Sequence, residues 1–170
     1  MSDRPVPGES STTRLTGGAA PGWMSVRVAG VTFALPIETV GEVVPTPTVS
    51  AVPMVPSWVA GIVSIRGEVV PVVDPGARLF GRPASREGRL VLARPDDAGE
   101  RIGLLVDAVA GLIDRGSATV AAADDAPDDV PAPFVAAVVS GAGFGRLPVL
   151  DLEAMLDREI AGGETASPGA

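Results

Sequence analysis

Residues 56–74 read PSWVAGIVSIRGEVVPVVD, from Pro56 to Asp74. Two apolar runs, Val59–Ile65 and Val69–Val73, flank Arg66-Gly67-Glu68. Short Val- and Ile-rich runs joined by a Gly-containing turn predict a β-hairpin. Gly67 supplies the positive φ that such a turn needs. Pro71 has no N–H to give to a ladder, so the second strand is expected at an edge, a bulge or a barrel corner. Asp74-Pro75-Gly76 stops that strand, and a short helical turn is expected to run on to Phe80.

The same pattern returns 76 residues later. Trp58-Val59-Ala60-Gly61-Ile62-Val63-Ser64 aligns with Phe134-Val135-Ala136-Ala137-Val138-Val139-Ser140. A glycine-containing turn follows each, then Pro71-Val72-Val73-Asp74 in one copy and Pro148-Val149-Leu150-Asp151 in the other. Such an echo predicts two similar β-lobes, each a strand, turn, strand and short helix. Lobes lying side by side form a groove, a common place for partners to bind. Non-equivalent geometry of 58–74 and 134–151 would refute this reading.

Upstream, Met24–Ala29 and Val31–Leu35 flank Gly30 and predict another hairpin. Pro36 then suits a first helical turn, and Ile37, Val40, Val43 and Val44 recur at helical spacing, which predicts a two-turn helix ended by Pro45 and Pro47. Val49 to Pro56 is expected to be extended. Downstream, Leu90–Ala93, Ile102–Val106, Val109–Ile113, Phe134–Val139 and Leu147–Leu150 predict strands. Ala121–Pro133 carries Asp124, Asp125, Asp128 and Asp129 and is expected to be a solvated acidic loop. Leu152, Met155, Leu156 and Ile160 mark one face of a C-terminal helix. Residues 1–22 and 161–170 are rich in small and polar residues and are expected to be disordered tails around a domain over 23–160.

Composition narrows the chemistry. The 170 residues include no Cys, His, Lys, Tyr, Asn or Gln, so all 13 basic residues are Arg. Nucleophilic triads, Cys–His pairs, Schiff-base lysines and Cys/His zinc sites are excluded. With 46% hydrophobic but 4% aromatic residues, the core must be mainly Val, Leu, Ile and Ala. The net charge is −8, and residues 87–170 carry six Arg against fifteen acids. That balance argues against binding to nucleic-acid phosphates. No apolar stretch reaches the roughly 18 residues that span a bilayer, and the N-terminus lacks an apolar signal-peptide core. No membrane insertion is expected, and the expected location is the cytoplasm.

Three tempting sites fail on pattern. The Asp124–Asp129 loop lacks the alternating acids, central Gly and terminal Glu of a calcium loop. Gly141-Ala142-Gly143-Phe144-Gly145 matches no dinucleotide fingerprint, and a phosphate-loop Lys cannot exist here. A hydrolase built on paired carboxylates is the alternative function, but the acids fall mostly in predicted loops. No catalytic residue, metal or cofactor is expected.

The stretch Pro56–Asp74 resembles the signature segment of CheW-like domains, the coupling modules of bacterial chemosensory arrays. An apolar pair, Gly61, an apolar strand, the Arg66-Gly67 turn and a strand ending Pro71-Val72-Val73-Asp74 are all present. The hairpin around Gly30, the run Val40-Gly41-Glu42-Val43 and the run Arg101 to Asp107 also fit, so the resemblance covers about residues 24–158. Ser64 stands where Asn is common, and Pro75-Gly76 replaces a more usual Leu-Arg. The resemblance implies a mainly β fold of two SH3-like five-stranded barrels packed side by side. It also implies a non-enzymatic adaptor whose partners are the tips of chemoreceptors and the regulatory domain of the kinase CheA, at membrane-bound arrays.

Seven residues are candidates for partner binding. Arg66 at the turn tip is either a guanidinium offered to a partner carboxylate or carbonyl, or a solvated hairpin Arg; the resemblance favours the first. Glu42 is expected to pair with Arg66 and order the turn, and Gly67 to set its geometry. Val40, Gly61, Leu112 and Ile113 either line a groove for a receptor helix or pack in the core.

Overall fold

The computed structural model describes residues 21–95 and 99–159, and it builds them from two sheets. In chain order the strands are β1 (Pro21–Val28), β2 (Val31–Pro36), β3 (Val40–Pro45), β4 (Val59–Ile65), β5 (Glu68–Val73), β6 (Arg89–Ala93), β7 (Ile102–Val106), β8 (Ala108–Asp114), β9 (Thr119–Ala121), β10 (Val135–Gly141) and β11 (Gly145–Leu150). Helix α1 (Pro75–Phe80) follows β5, and α2 (Leu152–Leu156) follows β11. One sheet runs β3-β6-β7-β5-β4; the other runs β8-β1-β2-β11-β10-β9. The fold is mainly β with two lobes, and the larger sheet adds the short β9 to the expected five strands.

The echo in sequence is an echo in space. Hairpins β4–β5 and β10–β11 are both antiparallel, and each carries a bulge near its start, between Val59 and Gly61 in one and Val135 and Ala137 in the other. Asp74 N–H donates to the Trp58 carbonyl at 2.8 Å, and Asp151 N–H to the Phe134 carbonyl at 2.9 Å. Each Asp then caps its helix, accepting from Ala77 N–H in α1 and Ala154 N–H in α2. An Asp N-cap satisfies a donor the helix cannot, and is worth about 0.5–2 kcal/mol. Strand β5 pairs in parallel with β7, as β11 does with β2. The chain enters the lobes differently: β3 to β7 are consecutive, whereas the other lobe takes β1 and β2 from one end and β8 to β11 from the other.

Both sheets close on themselves. Strands β8 and β9 lie at opposite edges of their sheet, yet only residues 115–118 join them. In the other lobe residues 46–49 lead from edge strand β3 to Ser50, which exchanges two 2.9 Å hydrogen bonds with Ile62 of the opposite edge strand β4. Edges joined by so few residues can only be neighbours, as in a barrel. Pro71 sits just before the β5–β7 pairing begins at Val72, a barrel corner that asks nothing of its missing N–H.

Three cores result. Leu90, Leu92 and Leu105 join Val63, Val70 and Val72 inside the β3–β7 barrel. Ala34, Ile113, Val139, Leu147 and Val149 fill the other. Between the lobes, Val91, Ala93, Ile102 and Leu104 meet Val26, Val28, Phe33 and Leu35. Strands β6 and β7 therefore bury both faces, which is why they read as unbroken apolar runs without alternation.

The expected helix over 37–44 is absent. A 3-10 turn spans Ile37–Thr39, and β3 begins at Val40. The valines mislead because β3 serves two cores: Val40 and Val43 pack against the inter-lobe core, Val44 against the barrel interior. A bulge between Val40 and Glu42 shifts the register, so apolar residues fall at helical intervals along a strand. Other boundaries move as well. Pro21 and Gly22 belong to β1, not to a tail, because Pro21 pairs with Asp114 and Gly22 packs against Arg115. Phe134 lies in a 3-10 turn before β10. The acidic loop holds a 3-10 turn over Ala123–Asp125 and anchors Val130 in the inter-lobe core, while its four aspartates stay exposed. Helix α2 ends at Leu156; the expected tails at 1–20 and 161–170, and Ile160, lie outside the described residues.

Candidate functional site

The β4–β5 turn consists of two residues, Arg66 and Gly67, between the paired Ile65 and Glu68. Both have positive φ, 49° and 80°, as the two-residue turn that matches strand twist requires. Asn usually takes the first such position, and this chain has none. Arg66 occupies it at a cost of order 1–3 kcal/mol, a kind of backbone strain that concentrates at functional segments. Gly67 meets the expectation of a positive-φ glycine.

The side chain of Arg66 is held without being covered. It donates through Nη1 to Glu42 Oε2 at 2.8 Å and through Nη2 to Glu42 Oε1 at 2.5 Å. Its side chain remains 69% exposed. Glu42 stands on β3 and Arg66 at the tip of β4, so this two-pronged pair spans the seam of the barrel beside the Ser50–Ile62 bridge. The hydrogen bonds from Arg66, more than the nearby charge of Arg101, hold the Glu42 carboxyl below its ordinary pKa. Arg66 is correspondingly raised by Glu42.

A second pair adjoins the first. Arg101 leads into β7 and donates through Nε to Glu68 Oε1 at 3.3 Å, and through Nη2 to Glu68 Oε2. The hydrogen bonds from Arg101 hold the Glu68 carboxyl down as well. Val69, 63% exposed, adds an apolar neighbour on β5.

Five of the seven expected residues thus belong to one lobe: Val40, Glu42, Gly61, Arg66 and Gly67. Two of these are internal. Val40 is half-buried against the inter-lobe core. Gly61 is buried with φ 142°, and a Cβ there would stand 2.1 Å from the Ser50 carbonyl oxygen, so it serves barrel closure. Leu112 and Ile113 lie on β8 of the other lobe and point opposite ways. Leu112 is 59% exposed, whereas Ile113 is buried in the barrel interior. Arg101 and Glu68 were not among the expected site residues, because nothing in a 33-residue separation marks them as a pair.

Between the lobes lies Arg78 of α1, 5% exposed. Its guanidinium carbon sits 4.5 Å from the Trp58 ring centre and 5.0 Å from that of Phe134, the two aromatics that align in the echo. Its Nε donates to the Met155 carbonyl at 3.2 Å and Nη2 to the Asp157 carbonyl at the end of α2. Among the described residues no group of three or more acids is gathered to hold a metal ion, and no helix is long and apolar enough to cross a membrane.

Residues 22–159, which span both barrels and the Arg-Gly turn, match the family model of the CheW-like domain. The chain belongs to the CheW-like domain family. The domain is 31% identical over 90 residues to the probable chemotaxis protein CheW of Rhizobium etli, covering 53% of this chain and 58% of that protein. It is 28% identical over 117 residues to the chemotaxis protein CheW of Rhizobium meliloti, covering 69% and 76%. Among solved structures, the scaffolding protein TtCheW of Thermoanaerobacter tengcongensis superposes with a TM-score of 0.64 at 26% identity, covering 77% of this chain and 89% of that one. The CheW-like family is one of non-enzymatic scaffolds or adaptors; the two Rhizobium relatives are named as chemotaxis proteins, and the chain spans 58% of the length of the first.

Proposed function

We propose that this CheW-like domain couples the cytoplasmic tips of chemoreceptors to the kinase CheA. One surface grips the receptor tip, and another pairs with the CheA regulatory domain. The observation that carries this reading is Arg66: a guanidinium at a strained turn, oriented by Glu42 yet mostly open to solvent. An arginine already fixed in one rotamer loses less entropy when a partner carboxylate or carbonyl arrives. Repeated modest contacts across an array give avidity without a single tight interface. The domain then works in the cytoplasm, at membrane-bound receptor arrays.

The test is a pull-down with a receptor tip and a CheA regulatory domain from the same genome. Capture of both by the folded protein is expected, with loss of at least one by Arg66→Glu. Folded protein that captures neither refutes the adaptor reading.

A further inference from the structure

Two arginines act on the Glu42 carboxylate. Arg66 holds it through two hydrogen bonds, and the charge of Arg101 also acts on it. Arg101 acts in turn on Arg66, like charge on like. A carboxylate offers two oxygens, and one guanidinium fork uses both, so the arginines are competitors for Glu42. In the structure the competition is resolved by Glu68, which takes Nε and Nη2 of Arg101. Glu68 is well placed for this. It opens β5 directly after the turn, and Arg101 leads into β7, the neighbour of β5 in the sheet. Arg94, after β6, is the other positive charge acting on Glu68, and the structure gives it no hydrogen bond to that carboxylate.

We propose that Glu68 is a positioning residue for Arg66: by holding Arg101 it reserves Glu42 for the turn arginine and fixes the direction in which Arg66 is presented. The importance of that direction rests on the adaptor reading; the positioning itself does not. Without Glu68, Arg101 swings onto Glu42 and Arg66 is set loose at the turn tip.

The experiment reads the Glu42 carboxyl by carbon-13 NMR titration of the free protein in three backgrounds, each with and without Arg66→Gln. In the wild type, removing Arg66 raises the Glu42 pKa toward the ordinary glutamate value of about 4.3. In Glu68→Gln, where Arg101 has replaced Arg66 on Glu42, removing Arg66 leaves the Glu42 pKa unmoved. In Glu68→Gln/Arg101→Gln the competitor is gone, and removing Arg66 raises the pKa again. That rescue separates positioning from a structural role, since a Glu68 needed only to shape the hairpin is not rescued by deleting Arg101. An equal rise in the wild type and Glu68→Gln overturns the proposal, as does a double variant that behaves like Glu68→Gln. A pull-down with the receptor tip is run alongside. If the titrations behave as expected but Glu68→Gln captures the tip as well as the wild type, the positioning stands and the use of Arg66 in coupling falls.

Discussion

Replacing Arg78 probes what holds the two lobes in register. Its guanidinium is sandwiched between Trp58 and Phe134 and donates to the carbonyls of Met155 and Asp157. Those carbonyls end α2, where the helix itself offers no donors. A hydrogen bond from a charged donor is worth about 1.5–3 kcal/mol, and stacking on an aromatic face about 0.5–2 kcal/mol. Against these stands the desolvation of a charge, several kcal/mol for an ion taken fully from water. Met keeps most of the side-chain volume, so Arg78→Met isolates the polar terms, and a net loss of about 2 kcal/mol is expected. Arg78→Ala adds a cavity between the rings and raises the loss to about 4 kcal/mol. Since domains are stable by only about 5–15 kcal/mol, the Ala variant is expected to be marginal. Urea unfolding followed by circular dichroism checks this, with the midpoint falling at unchanged slope. For Arg78→Met the Tm is expected to drop by about 4–8 °C. A Met variant as stable as the wild type would refute the reasoning, because desolvation would then cancel everything the guanidinium contributes.

Gly61→Ala sets a Cβ against the Ser50 carbonyl at a positive φ, so the seam must open; strain and overpacking together are expected to cost about 3 kcal/mol, read as a Tm drop of about 6–12 °C. Glu42 and Glu68 both have pKa values below the ordinary one, so the stability they contribute is present above about 4.3 and is lost as pH falls through their folded values. The combined Glu42→Gln/Glu68→Gln variant is expected to show a shallower fall in urea midpoint on acidification than the wild type. Asp74 runs the other way: burial raises its pKa, against the backbone hydrogen bonds that lower it. Its contribution is full below about 3.9 and shrinks as pH rises through the folded value, so the destabilisation by Asp74→Asn should be smaller at pH 7 than at pH 4. Arg66→Glu is expected to leave the Tm within about 2 °C of the wild type, since the turn is exposed, while it weakens capture of a partner.

Local patterns that serve one purpose were legible in the residues. The β4–β5 hairpin, its Arg66-Gly67 turn, the Asp74 cap and the repeat at 134–151 all follow from residues close in sequence. Misreadings arose where one segment answers to two environments. Val43 and Val44 face different cores, so β3 mimicked a helix. Ile113 and Leu112 looked alike as apolar residues, and only the alternation of β8 separates the buried one from the exposed one. The Glu42–Arg66 pair forms as expected, although Glu42 lies on a strand and not on the predicted helix. Arg78 carried an unused signal. It stands four residues after Asp74, where the echo has Met155 four residues after Asp151. A charge aligned with an apolar core residue marks a place where the lobes have diverged.

That divergence bears on where the working surface lies. The bulge that skips Gly41 between Val40 and Glu42 has its counterpart on β8, where Val109 and Gly111 pair with adjacent residues of β1. Glu42 thus corresponds to Gly111, and the Arg66-Gly67 turn corresponds to the longer turn between Gly141 and Gly145. One lobe bridges its seam with a carboxylate and a guanidinium beside the Ser50–Ile62 pairing; the other has Gly111 in place of Glu42 and Ala142-Gly143-Phe144 as its turn, and it joins its seam by pairing β9 with β10. Barrel closure therefore does not demand the ion pair, since the same architecture closes without it. The caps, the bulges and the parallel crossovers are common to both lobes and serve the fold. Among the described residues only one lobe has an exposed arginine in left-handed geometry with a carboxylate to hold it and a second ion pair beside it, and that asymmetry supports the proposed role of Arg66 in recognition.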